Sequence, residues 1–257
     1  MKIALTVGHS ILKNGNITSA DGTKFGGVNE YKYNKELAPY IVKYLKELGH
    51  TVDLIICPEK QFTLSTQEKA YKLNLVNDGT YDLVVELHLN AASVNTAKGT
   101  EVLYKSDAGK VYAERVQKKL ITLFEDRGIK YRDNLYMLTK TKPVTIMLET
   151  FFCTNPEECK IGNDYDRIGR LIAEGIVGKE LSTPNTTITP KSSVNDIKWL
   201  QEKINSAKTG YTIPVTGAFD YKTSLAVKIY ADFKGWKKYE TATGYTVGIK
   251  TVQKLSE

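Results

Sequence analysis

The chain of 257 residues is long enough for two domains, and with 41% hydrophobic and 25% charged residues it has the composition of an ordinary globular protein, which excludes a disordered chain, a collagen and a disulfide scaffold. Its formal charge of +7 is concentrated at the C-terminal end: residues 191–257 hold 11 lysines against six acids (+5), and residues 1–190 hold 25 basic against 23 acidic residues (+2). Cys57, Cys153 and Cys159 lack CxxC spacing and read as buried thiols rather than as a disulfide framework or a cysteine metal site. No run approaches the roughly 18 apolar residues of a membrane span. Met1-Lys2 leads straight into an apolar stretch with no signal-peptide core, so a soluble chain made in the cytosol, with no membrane partner, is expected.

In chain order, short apolar runs predict strands at Ile3–Val7, Val52–Ile56, Leu83–Leu87, Glu101–Tyr104, Tyr136–Leu138 and Val144–Leu148. Helical spacing links Leu37, Ile41, Leu45 and Leu48, then Val111, Val116, Leu120 and Phe124, then Ile168, Ile172 and Ile176. Pro39 inside the first of these predicts a kink or a split. Strands alternating with helices imply an α/β domain: an open, twisted, mostly parallel sheet with helices on both faces. The segment Leu181–Pro190 has no charges, two prolines and five Ser or Thr residues, the composition of an extended linker. The expected division is therefore a domain over 1–180, a linker over 181–190 and a second domain over 191–257. Helices predicted from Val194 to about Asn205, from about Lys222 to Phe233 and from Gly248 to Leu255 make that second domain small and mainly helical.

There are three histidines. His9 and His88 each end an apolar strand, and Glu149 ends a third, so in an open parallel sheet all three face the ligand crevice. A polar, glycine-rich stretch of about twenty residues follows His9, longer than a plain connector, and delivers Asn29-Glu30 to a helix start. Two imidazoles and a carboxylate form a three-ligand set that leaves zinc its fourth position, and a second carboxylate kept off the metal can move a proton. On the residues alone Glu30 and Glu149 can divide these roles. Glu86 alternates with His88 on the same strand face and is either a hydrogen-bond partner behind it or the rival to Glu149. His50, after Gly49 at a helix end, reads as a surface residue.

Val7-Gly8-His9, Asn29-Glu30 with Asn34 and Leu37, Leu87-His88-Leu89-Asn90-Ala91 and Leu148-Glu149-Thr150-Phe151-Phe152-Cys153-Thr154-Asn155 resemble, in order and spacing over about residues 1–180, the zinc-dependent N-acetylmuramoyl-L-alanine amidases of the Amidase_3 type. The resemblance implies a zinc ion (Zn2+) on His9, Glu30 and His88, and catalysis by Glu149. The substrate bond it implies joins the lactyl carbonyl of N-acetylmuramic acid to L-alanine in bacterial peptidoglycan. Many members carry Ser where this chain has Glu86; that residue and the run Glu-Leu-His-Leu-Asn-Ala are similar to clostridial phage endolysins. The tail, through Val194, Leu200-Gln201, Ile204, Val215–Phe219, Thr223, Ala226-Val227, Val247-Gly248, Thr251 and Leu255, resembles the peptidoglycan-binding domain 1 family, with Thr216-Gly217 in place of the usual Asp-Gly. Trp199, Tyr211, Tyr221, Tyr230, Trp236 and Tyr245 are either its core or a stacking surface for sugars, and its lysines would attract anionic wall polymers.

An endolysin is therefore expected, made in the host bacterial cytoplasm and acting on the wall after release. A host autolysin or a sporulation mother-cell amidase of the same chemistry is the alternative. A glycosidase using Glu86 and Glu149 would leave both strand-end histidines idle. A purely wall-binding or nucleic-acid-binding protein would rest on the basic tail alone, and no nucleic-acid motif is present.

Overall fold

Residues 1–180 alternate short strands with helices in the order β1 (Lys2–Val7), α1 (Glu30–Glu47), β2 (Thr51–Ile55), α2 (Ser65–Asp78), β3 (Leu83–Asn90), β4 (Thr100–Tyr104), α3 (Asp107–Leu120), β5 (Asp126–Tyr131), α4 (Tyr136–Lys140), β6 (Val144–Phe152), α5 (Pro156–Gly162) and α6 (Tyr165–Val177). The computed structural model describes residues 1–181, 187–207, 209–235 and 247–256, the side chains of 249, 253 and 256 excepted. They fall into two units, Met1–Glu180 and Leu181–Glu257.

The strands of the first unit form one six-stranded sheet in the order β2-β1-β3-β6-β4-β5. Every neighbouring pair is parallel except β4 with β6. The sheet is thus mixed but mostly parallel, as the alternation of strands and helices implies. Side chains alternate between its faces. Ala4, Ile55, Val84, Leu103 and Met147 pack under Val76 of α2 and Met137 and Leu138 of α4, while α1, α3 and α6 cover the other face. Phe151 is fully buried, its ring edge-on to Tyr33 of α1 at 4.9 Å and stacked on Phe124 at 5.4 Å.

Two expectations are corrected, and two elements are added to those predicted. Tyr136–Leu138 is not a strand but the start of the short helix α4; its apolar residues Met137 and Leu138 are buried against the sheet all the same. The strand missed nearby is β5, which lies at the sheet edge with none of its residues buried, so it carries no apolar pattern. Pro39 does not split α1, which runs unbroken through it. The helix α2 was also unforeseen. Its buried residues are Glu68, Lys72 and Val76, a helical stripe at i, i+4 and i+8 whose first two members are charged, so hydrophobic periodicity does not reveal it.

In the second unit α7 (Val194–Ser206), α8 (Tyr221–Phe233) and α9 (Ile249–Ser256) surround Ile197, Leu200, Ile204, Phe219, Val227, Val252 and Leu255. Gln201 is buried at their centre. Its Nε2 donates to the Thr223 hydroxyl (2.9 Å) and the Ala218 carbonyl (3.0 Å), and its Oε1 accepts from the backbone N–H groups of Thr216 and Gly217 (both 2.9 Å). Ile188, expected in the linker, is instead fully buried in this core and bridges to Val247. Of the candidate stacking aromatics, Tyr230 is core and Trp199 and Tyr211 pack against it; Tyr221 is exposed. Trp236 and Tyr245 lie outside the described residues, as does half of the expected linker, 182–186. All three cysteines are free and buried.

Phe151→Ala should lower the unfolding free energy by about 3–5 kcal/mol, the cost of an emptied aromatic site, measured as a drop in the urea midpoint followed by circular dichroism.

Candidate metal and catalytic site

The register of the sheet brings the candidate residues to one edge. Val7 of β1 stands beside Leu87 of β3, and His88 beside Glu149 of β6, so the carboxyl ends of three adjacent strands carry His9, His88 and Glu149. His9 has φ 65°, a left-handed turn out of β1. Gly8 before it leaves space for the neighbouring ring: a Cβ there would lie 2.3 Å from Cε1 of His88. Glu30 comes from the first turn of α1, capped by Asn29, whose Oδ1 accepts from the Lys32 N–H at 3.1 Å. The long loop before it is pinned to the end of β6. The Val28 N–H donates to the Cys153 carbonyl at 3.0 Å, and a Cβ at Gly22 or Gly27 would collide with that carbonyl at 1.9 or 2.0 Å. Backbone packing thereby fixes where Glu30 sits.

The Glu30 carboxylate is buried and fully engaged. Its Oε2 accepts from the Ala20 N–H at 3.0 Å and its Oε1 from the Leu89 N–H at 3.1 Å. The same Oε1 lies 2.9 Å from Nδ1 of His88 and 3.3 Å from Nε2 of His9, and one donor atom from each of the three residues falls within 4.8 Å of the others. Tetrahedral donors about 2 Å from a zinc ion stand roughly 3.3 Å apart, so the residues present fit a single dication. The electrostatics agree. Burial opposes the charge on Glu30, but hydrogen bonds from His88 and His9 hold its pKa far below the usual carboxylate range. Burial likewise lowers the pKa of His88, yet the hydrogen bonds and charges of Glu30 and Glu86 outweigh it and push it up to about 10. A group of this kind calls for positive charge, and a proton or a metal ion can supply it.

Glu86 stands behind His88, with Oε2 3.5 Å from Nε2. Its other oxygen accepts from Nζ of Lys72 at 2.6 Å, and that ammonium also donates to the Val7 carbonyl at 3.0 Å. Lys72 and Glu86 are both almost completely buried. Burial raises the pKa of Glu86, but the Lys72 charge and the His88 hydrogen bond hold it well below normal. A carboxylate on the far nitrogen of a ligating histidine fixes its orientation and raises its basicity.

Glu149 differs from these. Its Oε2 is buried without a hydrogen-bond partner among the described residues. Burial, with the charges of Glu30, Glu101 and Glu86 and against that of His88, raises its pKa to about 7. Glu101, opposite Glu149 in the β4–β6 pair, accepts from Nε of Arg127 at 3.2 Å. His9, Glu86, His88, Glu101 and Glu149 line a cleft of about 480 Å³ that continues past Glu68, Lys69 and Lys72 of α2 to Arg132 and Met137. The structure thus brings together His9, Glu30, His88 and Glu149, all anticipated from sequence, and adds Lys72, Glu68 and Glu101, which were not. For Lys72 the usable signal was the i, i+4 spacing of Glu68 and Lys72 within one helical stripe. His50 takes no part: its Nδ1 lies 3.1 Å from the N-terminal amino group.

A family model described as N-acetylmuramoyl-L-alanine amidase (Amidase_3) matches residues 3–178. Among solved structures, the catalytic domain of the CD27L endolysin targeting Clostridia difficile is 49% identical, with a TM-score of 0.67 over 71% of this chain and 99% of that one. An N-acetylmuramoyl-L-alanine amidase from Clostridium difficile 630 shares the fold at 23% identity, with a TM-score of 0.57 over 69% of this chain and 95% of its own. Among curated proteins, an uncharacterized protein of Clostridium perfringens is 27% identical over 77% of this chain and 57% of its own length. A probable autolysin of Staphylococcus aureus is 27% identical over 91% of this chain and 49% of its own length. The chain therefore spans about half the length of the curated relatives it matches.

Removing one partner of a buried ion pair leaves the other charge uncompensated. Lys72→Met should accordingly destabilise the protein by about 3–5 kcal/mol, and adding Glu86→Gln should restore most of the loss; urea unfolding of the two single variants and the double variant measures the coupling.

Proposed function

The chain belongs to the Amidase_3 family of N-acetylmuramoyl-L-alanine amidases, which accounts for residues 3–178, and on that premise we propose that it hydrolyses the amide between N-acetylmuramic acid and L-alanine in bacterial peptidoglycan. The observation that carries this reading is the close His9, Glu30 and His88 group beside a carboxylate oxygen of Glu149 that has no partner.

In the proposed mechanism His9, Glu30 and His88 hold zinc. A zinc ion in such a set supplies Lewis acidity, polarising a carbonyl and bringing the pKa of water down towards ~7. Oε2 of Glu149 takes the proton of the attacking water and passes it to the departing amine of L-alanine; its burial, with no hydrogen-bond partner among the described residues, favours taking that proton up. Glu86, already held by Lys72 at 2.6 Å, orients His88 and is not free to act as the second carboxylate of a glycosidase. The 49% identity to an endolysin catalytic domain supports the endolysin role. The alternative, an autolysin, is favoured by one match: the probable autolysin of Staphylococcus aureus aligns over 254 residues and so includes the second unit. That unit, with its lysine excess, is assigned to holding the enzyme on the wall, through glycan or an anionic wall polymer.

Glu149→Gln tests the reading. The variant should retain one zinc per chain by metal analysis while its release of L-alanine amino groups from purified walls falls by at least ~10²-fold. Native enzyme should lose activity to a chelator and recover it with zinc. Because the variant leaves walls intact, it should also sediment with them, less so as salt rises and screens the lysines. Full activity of Glu149→Gln, or of metal-free native enzyme, would contradict the assignment.

A further inference from the structure

The cleft beside the proposed zinc ligands continues along α2, and apart from Glu149 the carboxylates around it each have a partner. Glu86 is met by Lys72 at 2.6 Å and Glu101 by Arg127 at 3.2 Å. Glu68 accepts the Thr18 hydroxyl on Oε2 at 2.9 Å, and Glu30 is met by both imidazoles. Two cations of the same cleft have no such match: Lys69, on α2, and Arg132, just past β5, have no carboxylate within ion-pair distance among the described residues. Arg132 gives Nη1 only to the adjacent Tyr131 carbonyl, at 3.2 Å. Both residues are exposed at the cleft and available to a ligand.

The chemistry of a muramoyl peptide says which part of it such cations can meet. Its glycan consists of N-acetylated, uncharged sugars, and the lactyl carboxyl is already taken up in the scissile amide. Every free carboxylate of the substrate therefore lies on the peptide stem, on the side of the departing amine. We propose that Lys69 and Arg132 form a subsite for a stem-peptide carboxylate, which makes the α2 and Arg132 end of the cleft the peptide side of the active site. The inference rests on the amidase reading above and extends it to the orientation and selection of substrate. A guanidinium fork matches a carboxylate in two hydrogen bonds, and an ammonium lining the same cleft adds charge without directional demand. A peptide also brings N–H donors. Glu68, next to Lys69, keeps its Oε1 buried without a hydrogen-bond partner, an acceptor of the kind such a donor would meet.

Two soluble muramoyl peptides that differ only in whether the residue after L-alanine carries a free carboxylate or a carboxamide test this directly. The native chain should show a KM about tenfold lower for the carboxylate form, the scale of one charge-assisted hydrogen bond, with kcat similar for the two. In Lys69→Gln/Arg132→Gln, whose altered residues are exposed and outside the core, the preference should shrink below about twofold, and raised salt should reduce it in the native chain. Arg132→Glu should reverse it. Equal KM values for the two substrates in the native chain, or a preference that survives in the double variant, would overturn the subsite and leave the amidase reading intact. Cleavage of neither substrate by zinc-loaded native enzyme would overturn the amidase reading, and the subsite with it.

Discussion

One carboxylate oxygen, Oε1 of Glu30, lies 2.9 and 3.3 Å from the imidazoles of His88 and His9, and much of the first unit's local structure serves to keep it there. A buried carboxylate is costly unless its charge is met. Here it is met by two backbone N–H groups and two imidazoles. The Asn29 cap sets the start of α1, the loop before it rests its glycines on the Cys153 carbonyl, and Gly8 makes room for the His88 ring. These are backbone constraints, and a rigid backbone is what holds ligands at the spacing a metal requires.

A second buried charge supports the first. Lys72 reaches from α2 to the end of β1 and to Glu86, so that Glu86 stays ionised behind His88. The result is a chain of alternating charge from ammonium to carboxylate to imidazole to carboxylate, buried except for part of the His88 ring. Glu149 stands apart from that chain. Among the described residues nothing neutralises it by direct contact, and burial together with the neighbouring carboxylates raises its pKa to about 7. Two carboxylates within one site are thus driven in opposite directions by their surroundings, Glu30 towards permanent charge and Glu149 towards exchange of a proton.

Much of this was legible in the sequence, for identifiable reasons. Strands buried on both faces, such as Leu83–Leu87 and Val144–Leu148, are nearly continuous apolar runs, interrupted only by Glu86 and Thr145, so their ends, and with them His88 and Glu149, could be located. Glu30 could be found because the long polar loop after His9 ends at a helix start, which Asn29-Glu30 opens. What escaped were elements whose burial is not apolar. The edge strand β5 buries none of its residues, and α2 turns Glu68 and Lys72 inward with Val76. Tyr136–Leu138 is apolar because α4 packs on the sheet, and apolar content alone does not separate a short helix from a strand. On the residues alone Glu30 and Glu149 were interchangeable; the structure distinguishes their surroundings, with Glu30 between the two imidazoles.

The central claim, that the negative charge of Glu30 between two imidazoles makes this a metal site, is tested most directly by a zinc competition titration of Glu30→Gln against the native chain. The substitution keeps the shape of the side chain and one oxygen acceptor but removes the charge. Zinc affinity should fall by at least about 100-fold, beyond the usual effect of altering a group that only supports a ligand, with the circular dichroism spectrum unchanged. A folded Glu30→Gln protein that binds zinc as tightly as the native chain would contradict it.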